Sequence, residues 1–299
     1  MASGPVTLAE LATINNENLS GVIADELLQD TPLLRALAAI PSSNGVNHSY
    51  LRYDDAPSVG FRAANDGRVE SSSSDTQVDI VCKILDASYS VDVQVARAYR
   101  NGPEALLQRE GIRHMRSAFQ VLEKQVLYGL GNAADGFEGM PETIDSSLVV
   151  DHGGSANLSS IWFVRNAADA AALVLGNDGN ISMDPAVMQR VNGSTGTYGA
   201  FFTNVSSWFG FQQASKWDIA RLANIDVTAQ LDDDDIANVL KRLPYSASFM
   251  VMNRDVLELL RKSRTATSAT GAPAENPSAI FGVPVIVTDQ LSSTETQVV

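Results

Sequence analysis

The chain is poor in cysteine, histidine and lysine, and each shortage excludes a class of function. A single cysteine, Cys82, stands in 299 residues. No intramolecular disulfide can form, and a zinc–thiolate site would need several thiols. A reducing compartment is compatible with this usage. The three histidines, His48, His114 and His152, fall in no H-E-x-x-H or H-x-H arrangement, so a hydrolytic zinc site lacks support. Lysine occurs only at Lys83, Lys124, Lys216, Lys241 and Lys262, and 21 basic residues face 35 acidic ones, a formal net charge of −14. There is no cluster of four or more basic residues. Sequence-independent nucleic-acid binding needs a dense basic face to release counterions, and an anionic membrane needs a polybasic segment; neither partner fits. No run approaches the ~18 consecutive apolar residues of a membrane span. The first ten residues have neither the basic nor the apolar region of a signal peptide, so none is expected.

What is present is a globular composition, 44% hydrophobic and 19% charged. The length suits one large domain or two intimate lobes. Catalytic signatures are missing: there is no G-x-x-x-x-G-K-[ST] and no G-x-S-x-G. Gly129-Leu130-Gly131, with Gly136, follows a helix rather than a strand, the wrong context for a dinucleotide loop and the right one for a helix cap. Asp232-Asp233-Asp234-Asp235 lacks the spacing, central glycine and distal glutamate of a calcium loop. Acidic residues at a helix start are favoured by the dipole. Cys82 alternates with apolar neighbours and reads as a buried inert thiol, His114 as a packing or surface residue, and Ser194 as a loop serine.

Short helices are expected in the first forty residues. Thr7 and Ser20 are capping candidates, and Asp30-Thr31-Pro32 is a strong helix start whose Leu33, Leu34, Leu37 and Ile40 form one face before Pro41 stops it. Strand composition over 48–53 gives way to a polar, turn-rich stretch over 54–76. Val78, Ile80, Cys82 and Ile84 then alternate with polar residues as a strand. So long a loop has little to bury and is expected to project from the body. Asn101-Gly102-Pro103 opens the longest helix, residues 104–130. Its stripe is Leu107, Gly111, Met115, Phe119, Leu122 and Val126, with Arg109, Arg113 and Arg116 off it. The middle is β-rich. Residues 161–165 and 171–175 flank Asn166-Ala167 as a hairpin, with further strands over 201–205, 208–212 and 217–225. A short helix over 236–242, a strand over 248–252, a helix over 254–262 capped by Asn253 and a strand over 281–288 complete the chain.

In this order the elements resemble the major capsid proteins of tailed bacteriophages, the Hong Kong 97-type shell proteins. Residues 50–55, Pro57-Ser58-Val59-Gly60-Phe61-Arg62 and the strand to Val91 resemble the family's extended loop. Residues 104–130 resemble its spine helix, and Gly136-Phe137-Glu138-Gly139-Met140 the turn that follows it. Met252-Asn253-Arg254 with Leu257 and Leu260, then Phe281-Gly282-Val283-Pro284-Val285-Ile286-Val287-Thr288-Asp289, resemble the closing segment.

The resemblance implies an α+β Hong Kong 97-type capsid fold. Its expected parts are an N-terminal arm (1–45), an extended β-loop (46–95), a peripheral domain with the spine helix (96–144), a β-rich axial-type lobe (145–232) and a closing helix–loop–strand (233–299). It implies hexamers and pentamers of the chain itself, forming an icosahedral head around double-stranded DNA. It further implies a separate scaffolding protein, a portal, assembly in the host cytoplasm, and no enzymatic activity, cofactor, metal or membrane, and it leaves the presence of a decoration protein open. No lysine lies between Tyr50 and Lys83, so covalent cross-linking through that loop is not expected. Asp54, Asp55, Phe61, Arg62, Asp66, Arg68 and Glu70 are the expected inter-subunit contacts. Two readings stay open beside it: an encapsulin-like nanocompartment shell that encloses cargo enzymes, and a soluble hydrolase or binding protein with a β-rich lobe.

Overall fold

The computed structural model of the chain describes residues 30–67, 70–179, 181–194, 196–266 and 273–298. The short helices expected before Asp30 lie outside these residues. In chain order the first elements are α1 (Pro32–Ala36), β1 (Ala39–Pro41), β2 (Asn47–Asp55), β3 (Ser74–Val81), β4 (Lys83–Asp86), β5 (Tyr89–Asp92), α2 (Val93–Ala98), α3 (Pro103–Tyr128) and α4 (Met140–Thr143). They are followed by β6 (Val149–Asp151), β7 (Leu158–Val164), β8 (Ala171–Leu175), β9 (Ser182–Met183), β10 (Val187–Asn192), β11 (Thr197–Thr203), β12 (Val205–Gln213) and β13 (Ile219–Asp226). The chain closes with α5 (Asp233–Leu240), β14 (Phe249–Met252), α6 (Arg254–Ala266), β15 (Ala279–Ile280) and β16 (Val283–Val287).

Two cores share one sheet. Every residue of β7 is buried, and the strand pairs antiparallel with both β13 and β14. A strand covered on both faces is buried at every position rather than at alternate ones, and from Ile161 to Val164 this one is apolar throughout. Ile161 and Phe163 enter a core with Leu222, Met250, Ile236, Val256 and Leu260, which holds α5 and α6. Trp162 and Val164 enter the other, with Met115, Phe119, Leu122 and Val126 of α3. The sheet runs β15-β16-β14-β7-β13-β6. A second sheet, β1-β8-β12-β4 with β9 beside β12, contributes Leu173, Leu175, Phe209 and Phe211 to the α3 core. A third sheet is β10-β11-β5, and β2–β3 stand as a separate ribbon. Strands of residues 145–232 are therefore divided among three sheets.

Helix α3 has 26 residues, about 39 Å at ~1.5 Å per residue. Pro103 occupies its first turn, where a missing N–H is harmless. Gly129 ends it at φ +50°, and a Cβ there would lie 1.7 Å from the Glu142 carboxylate. That carboxylate accepts from the N–H groups of Leu130 and Gly139, at 3.0 and 2.8 Å. Gln125 donates to the carbonyls of Gly129 and Phe137, at 2.8 and 2.7 Å. The turn 136–140 is thereby tied to the helix it follows.

Four expectations need correction. Residues 161–165 and 171–175 form no hairpin. β8 pairs with β1 and β12, in another sheet from β7. Both are continuous buried runs, and an all-apolar strand carries no period to name its partner. Ile40 lies in β1 rather than in α1, which ends at Ala36; a residue before proline is biased to extended backbone. The alternating stretch 78–84 is two strands. At Cys82, whose N–H donates to the Val46 carbonyl at 2.8 Å, the chain leaves the β2 partner and joins β12. Finally, α6 continues to Ala266, a turn beyond the expected end.

Candidate assembly surface

The β2–β3 ribbon is in register from Asn47↔Val81 to Asp55↔Ser74, with a bulge between Tyr53 and Asp55. One of its faces lies on the body. His48 Nε2 and Gln212 Oε1 are 2.6 Å apart, and the Gln213 N–H donates to the Tyr50 hydroxyl at 3.4 Å. The Tyr53 N–H donates to the Ala214 carbonyl at 3.0 Å. Burial pushes the Tyr50 phenol up from its ordinary range. Two expected inter-subunit acids find partners here within their own chain. Asp54 accepts from Thr76 and pairs with Arg52 at 2.9 Å; these contacts, led by the Thr76 hydrogen bond, hold its carboxyl below the usual range. Asp55 pairs with Lys216 at 2.7 Å, and its hydrogen bond raises the ammonium pKa. The ribbon is thus fastened along β2, and beyond it the described residues 56–67 and 70–73 stand free of the body.

Beyond the ribbon, residues 56–67 and 70–73 are exposed throughout. Phe61 is fully exposed and Val59 nearly so. Arg62 donates to the Asp66 carbonyl at 2.9 Å, and the Asp66 carboxylate accepts from the Gly67 N–H at 2.8 Å. Ser71 Oγ donates to the Ser58 carbonyl at 2.7 Å, pinning the two sides of the loop together. Glu70 is exposed on the returning side. Arg68 lies outside the described residues. A large aromatic side chain held in water by a hydrogen-bonded loop leaves apolar surface uncovered, at a cost that burial against another molecule would remove.

At the root of the ribbon, β3 and the turn after α3 border a cleft of about 370 Å³. Tyr50, Ile80, Phe137 and Phe211 line it together with Asp79, Lys83 and Glu138. Leu51, Val81 and Ile84 are exposed nearby along the ribbon and β4.

Two buried carboxylates that sequence reasoning missed hold residues 33–34 and the segment 288–295 against α3. Glu123 is fully buried and accepts from the N–H groups of Leu33 and Leu34, at 3.1 and 3.3 Å. It also accepts from the Thr288 hydroxyl. Burial pushes it up to about 7, against the pull of those hydrogen bonds. Glu295 accepts from Tyr128 at 2.7 Å and Ser160 at 2.8 Å and pairs with Arg221 at 3.0 Å, while the Arg221 guanidinium lies 4.7 Å from the Trp162 ring centroid. Burial, and then the neighbouring Glu295 carboxylate, raise the Tyr128 phenol. Glu123 had a signal: it stands four residues after Phe119 and one after Leu122, inside the apolar stripe.

Cys82 is wholly buried, and burial raises its thiol pKa. His114 stacks on Tyr89, with ring centroids 5.1 Å apart. The four aspartates cap α5: the Asp232 N–H donates to the Asp235 carboxylate at 3.0 Å. Among the described residues no group of three or more His, Cys, Asp or Glu is placed to hold a metal ion.

A family model described as "Major capsid protein GP7" matches residues 15–299. No curated protein matches the chain. Among solved structures, a chain of bacteriophage Epsilon15 superposes with a TM-score of 0.60 at 15% identity, covering 100% of this chain and 98% of that one. The capsid of bacteriophage JBD30 decorated with minor capsid protein trimers gives 0.53 at 14% identity, over 98% and 92% of the two chains. The bacteriophage JBD30 capsid gives 0.51 at 12% identity, over 88% and 92%. These likenesses carry the fold, the α+β capsid architecture of the Hong Kong 97 type. With the family match running over nearly its whole length, the chain belongs to the major capsid protein GP7 family.

Proposed function

We propose that the chain is the structural shell subunit of a tailed-phage head, assembling as hexamers and pentamers around double-stranded DNA and catalysing no reaction. The observation that carries this reading is the arm. A protein of a capsid family presents a fastened ribbon whose tip, with Phe61 fully exposed, covers nothing of its own chain. Such a tip is stable in function only against a neighbour. In this reading Phe61, Arg62, Asp66, Arg68 and Glu70 meet the adjacent subunit, whereas Asp54 and Asp55 fix the arm to its own body.

The division of labour follows. Residues 46–95 act as the extended loop and 96–144 as the spine and its turn. The axial-type lobe is the six-stranded sheet with α5 and α6, drawn from 145–232 and 233–299 together. The net charge of −14 keeps packaged DNA from adhering to the wall, since like charges repel across a screening length of roughly 10 Å. A scaffolding protein and a portal complete the reading, with assembly in the host cytoplasm and residence in the virion.

Electron microscopy of particles made in the presence of the neighbouring reading frames, with nuclease-protected contents assayed, tests this. Closed shells that protect DNA are expected. Closed shells holding only cargo protein would instead make it a nanocompartment.

A further inference from the structure

We propose that Asn44-Gly45, in the turn that leads from β1 into the arm ribbon, is a site of spontaneous deamidation, at which the folded chain, with water as co-reactant, converts the Asn44 amide into an aspartyl or isoaspartyl link. The inference concerns the single chain and stands apart from the shell reading.

The sequence holds three Asn-Gly pairs, Asn44-Gly45, Asn101-Gly102 and Asn192-Gly193. In each, the glycine nitrogen is the nucleophile and the asparagine side-chain carbon its target. A glycine has no side chain to hinder that approach. The fold sorts the three by whether the nitrogen is already engaged. The Gly102 N–H donates to the Tyr99 carbonyl at 3.0 Å, and the Gly193 N–H to the Gly196 carbonyl at 2.7 Å. Among the described residues the Gly45 N–H finds no acceptor and the Asn44 carboxamide no hydrogen-bond partner. Both residues are exposed. Asn44 and Asn47 exchange N–H···O bonds at 2.9 and 2.8 Å, which closes a two-residue turn with Gly45 at φ +57°. Nothing lies within 4 Å of the place a Gly45 Cβ would take, so the turn has open space on that side.

The steps balance without an oxidant or a reductant. Solvent base takes the Gly45 amide proton, the nitrogen bonds to Asn44 Cγ, the Cγ–Nδ2 bond breaks, and the side-chain nitrogen leaves as ammonia with a proton from water. Water then opens the cyclic imide. Opening at the side-chain carbonyl gives an aspartyl residue. Opening at the main-chain carbonyl gives an isoaspartyl link, with an extra methylene in the backbone. That methylene falls where the turn is held. The Gly45 carbonyl accepts from the Asn177 N–H at 2.7 Å and from the Ser42 hydroxyl, and the Val46 carbonyl accepts from the Cys82 N–H at 2.8 Å. An isoaspartyl link shifts these acceptors and loosens the arm at its root.

The full-length chain is aged at mildly alkaline pH, folded and in guanidinium chloride. Each asparagine is followed by peptide mass spectrometry, with fragmentation that separates aspartyl from isoaspartyl links. In the folded chain Asn44 should lose its amide at least ~10-fold faster than Asn101 and Asn192, the advantage of a donor that no hydrogen bond holds. Unfolded, the three should react within about 3-fold of one another. In the aged wild type the Asn177 and Cys82 amides should exchange hydrogen faster than in the fresh chain. Aged N44Q, whose longer side chain closes a larger ring slowly, should exchange like the fresh chain. An Asn44 that reacts no faster than Asn101 and Asn192 in the folded chain would overturn the site. Unchanged exchange at Asn177 and Cys82 in a chain that has gained the isoaspartyl link would overturn its effect on the arm root.

Discussion

A buried carboxylate without a cation is the least stable kind of residue to carry inside a core, and Glu123 is one. Burial lifts its pKa from 4.5 to about 7. A raised carboxylate pKa means that the folded chain binds the proton more tightly than the unfolded one. The resulting stabilisation is fully present below about 4.5 and is lost as pH rises through about 7. Thermal unfolding of the unassembled subunit should show this group removing roughly 2–3 kcal/mol of stability between pH 5 and 8. Asp218, lifted to about 6 by burial, acts with the same sign in a lower window. E123Q keeps the shape without the charge and should flatten the upper part of that profile, whereas an unchanged slope would contradict the assignment. E123A should cost about 1–3 kcal/mol near pH 5, because Leu33, Leu34 and Thr288 lose their acceptor, and less towards pH 8, where the wild type has itself lost the stabilisation. Cys82 and His114 have no such role, and C82A or H114A should still yield particles when viewed by negative stain.

Among elements, the spine helix and its turn show how one segment positions another. A Cβ on Gly139 would lie 2.6 Å from the Gln125 carbonyl and 2.7 Å from that of Val126, backbone atoms that cannot yield. G139A should therefore lower the urea midpoint by an amount equivalent to roughly 1–3 kcal/mol. Elements of this kind were legible in the sequence. The stripe from Leu107 to Val126 marks α3, and Asn253, whose carboxamide accepts from the Val256 N–H at 2.8 Å, marks the start of α6. Partners were not legible. β7 and β8 look alike as apolar runs yet belong to different sheets, and only three-dimensional packing separates them. The arm was visible as a polar stretch too long for a hairpin turn. Its fastening to residues 212–216 was not, because Gln212, Gln213 and Lys216 lie far along the chain with no local pattern. The tip residues Phe61 and Arg62 were readable from the loop that holds them.

At the scale of the molecule, the fold separates stability from association. The two cores around β7 are closed by their own helices and sheets, and residues 33–34 and 288–295 are tied to α3 through Glu123 and Glu295. No described residue of the arm tip belongs to either core. Removing residues 57–74 should leave the body folded and abolish the contact between copies. Sedimentation velocity of the wild-type and arm-deleted chains, each produced together with the neighbouring reading frames that supply the scaffolding protein, tests this most directly. The account predicts megadalton particles from the wild type and only small, folded species from the deletion. Particles of wild-type size from the deleted chain, or a wild type that remains a monomer of 31.9 kDa, would contradict it.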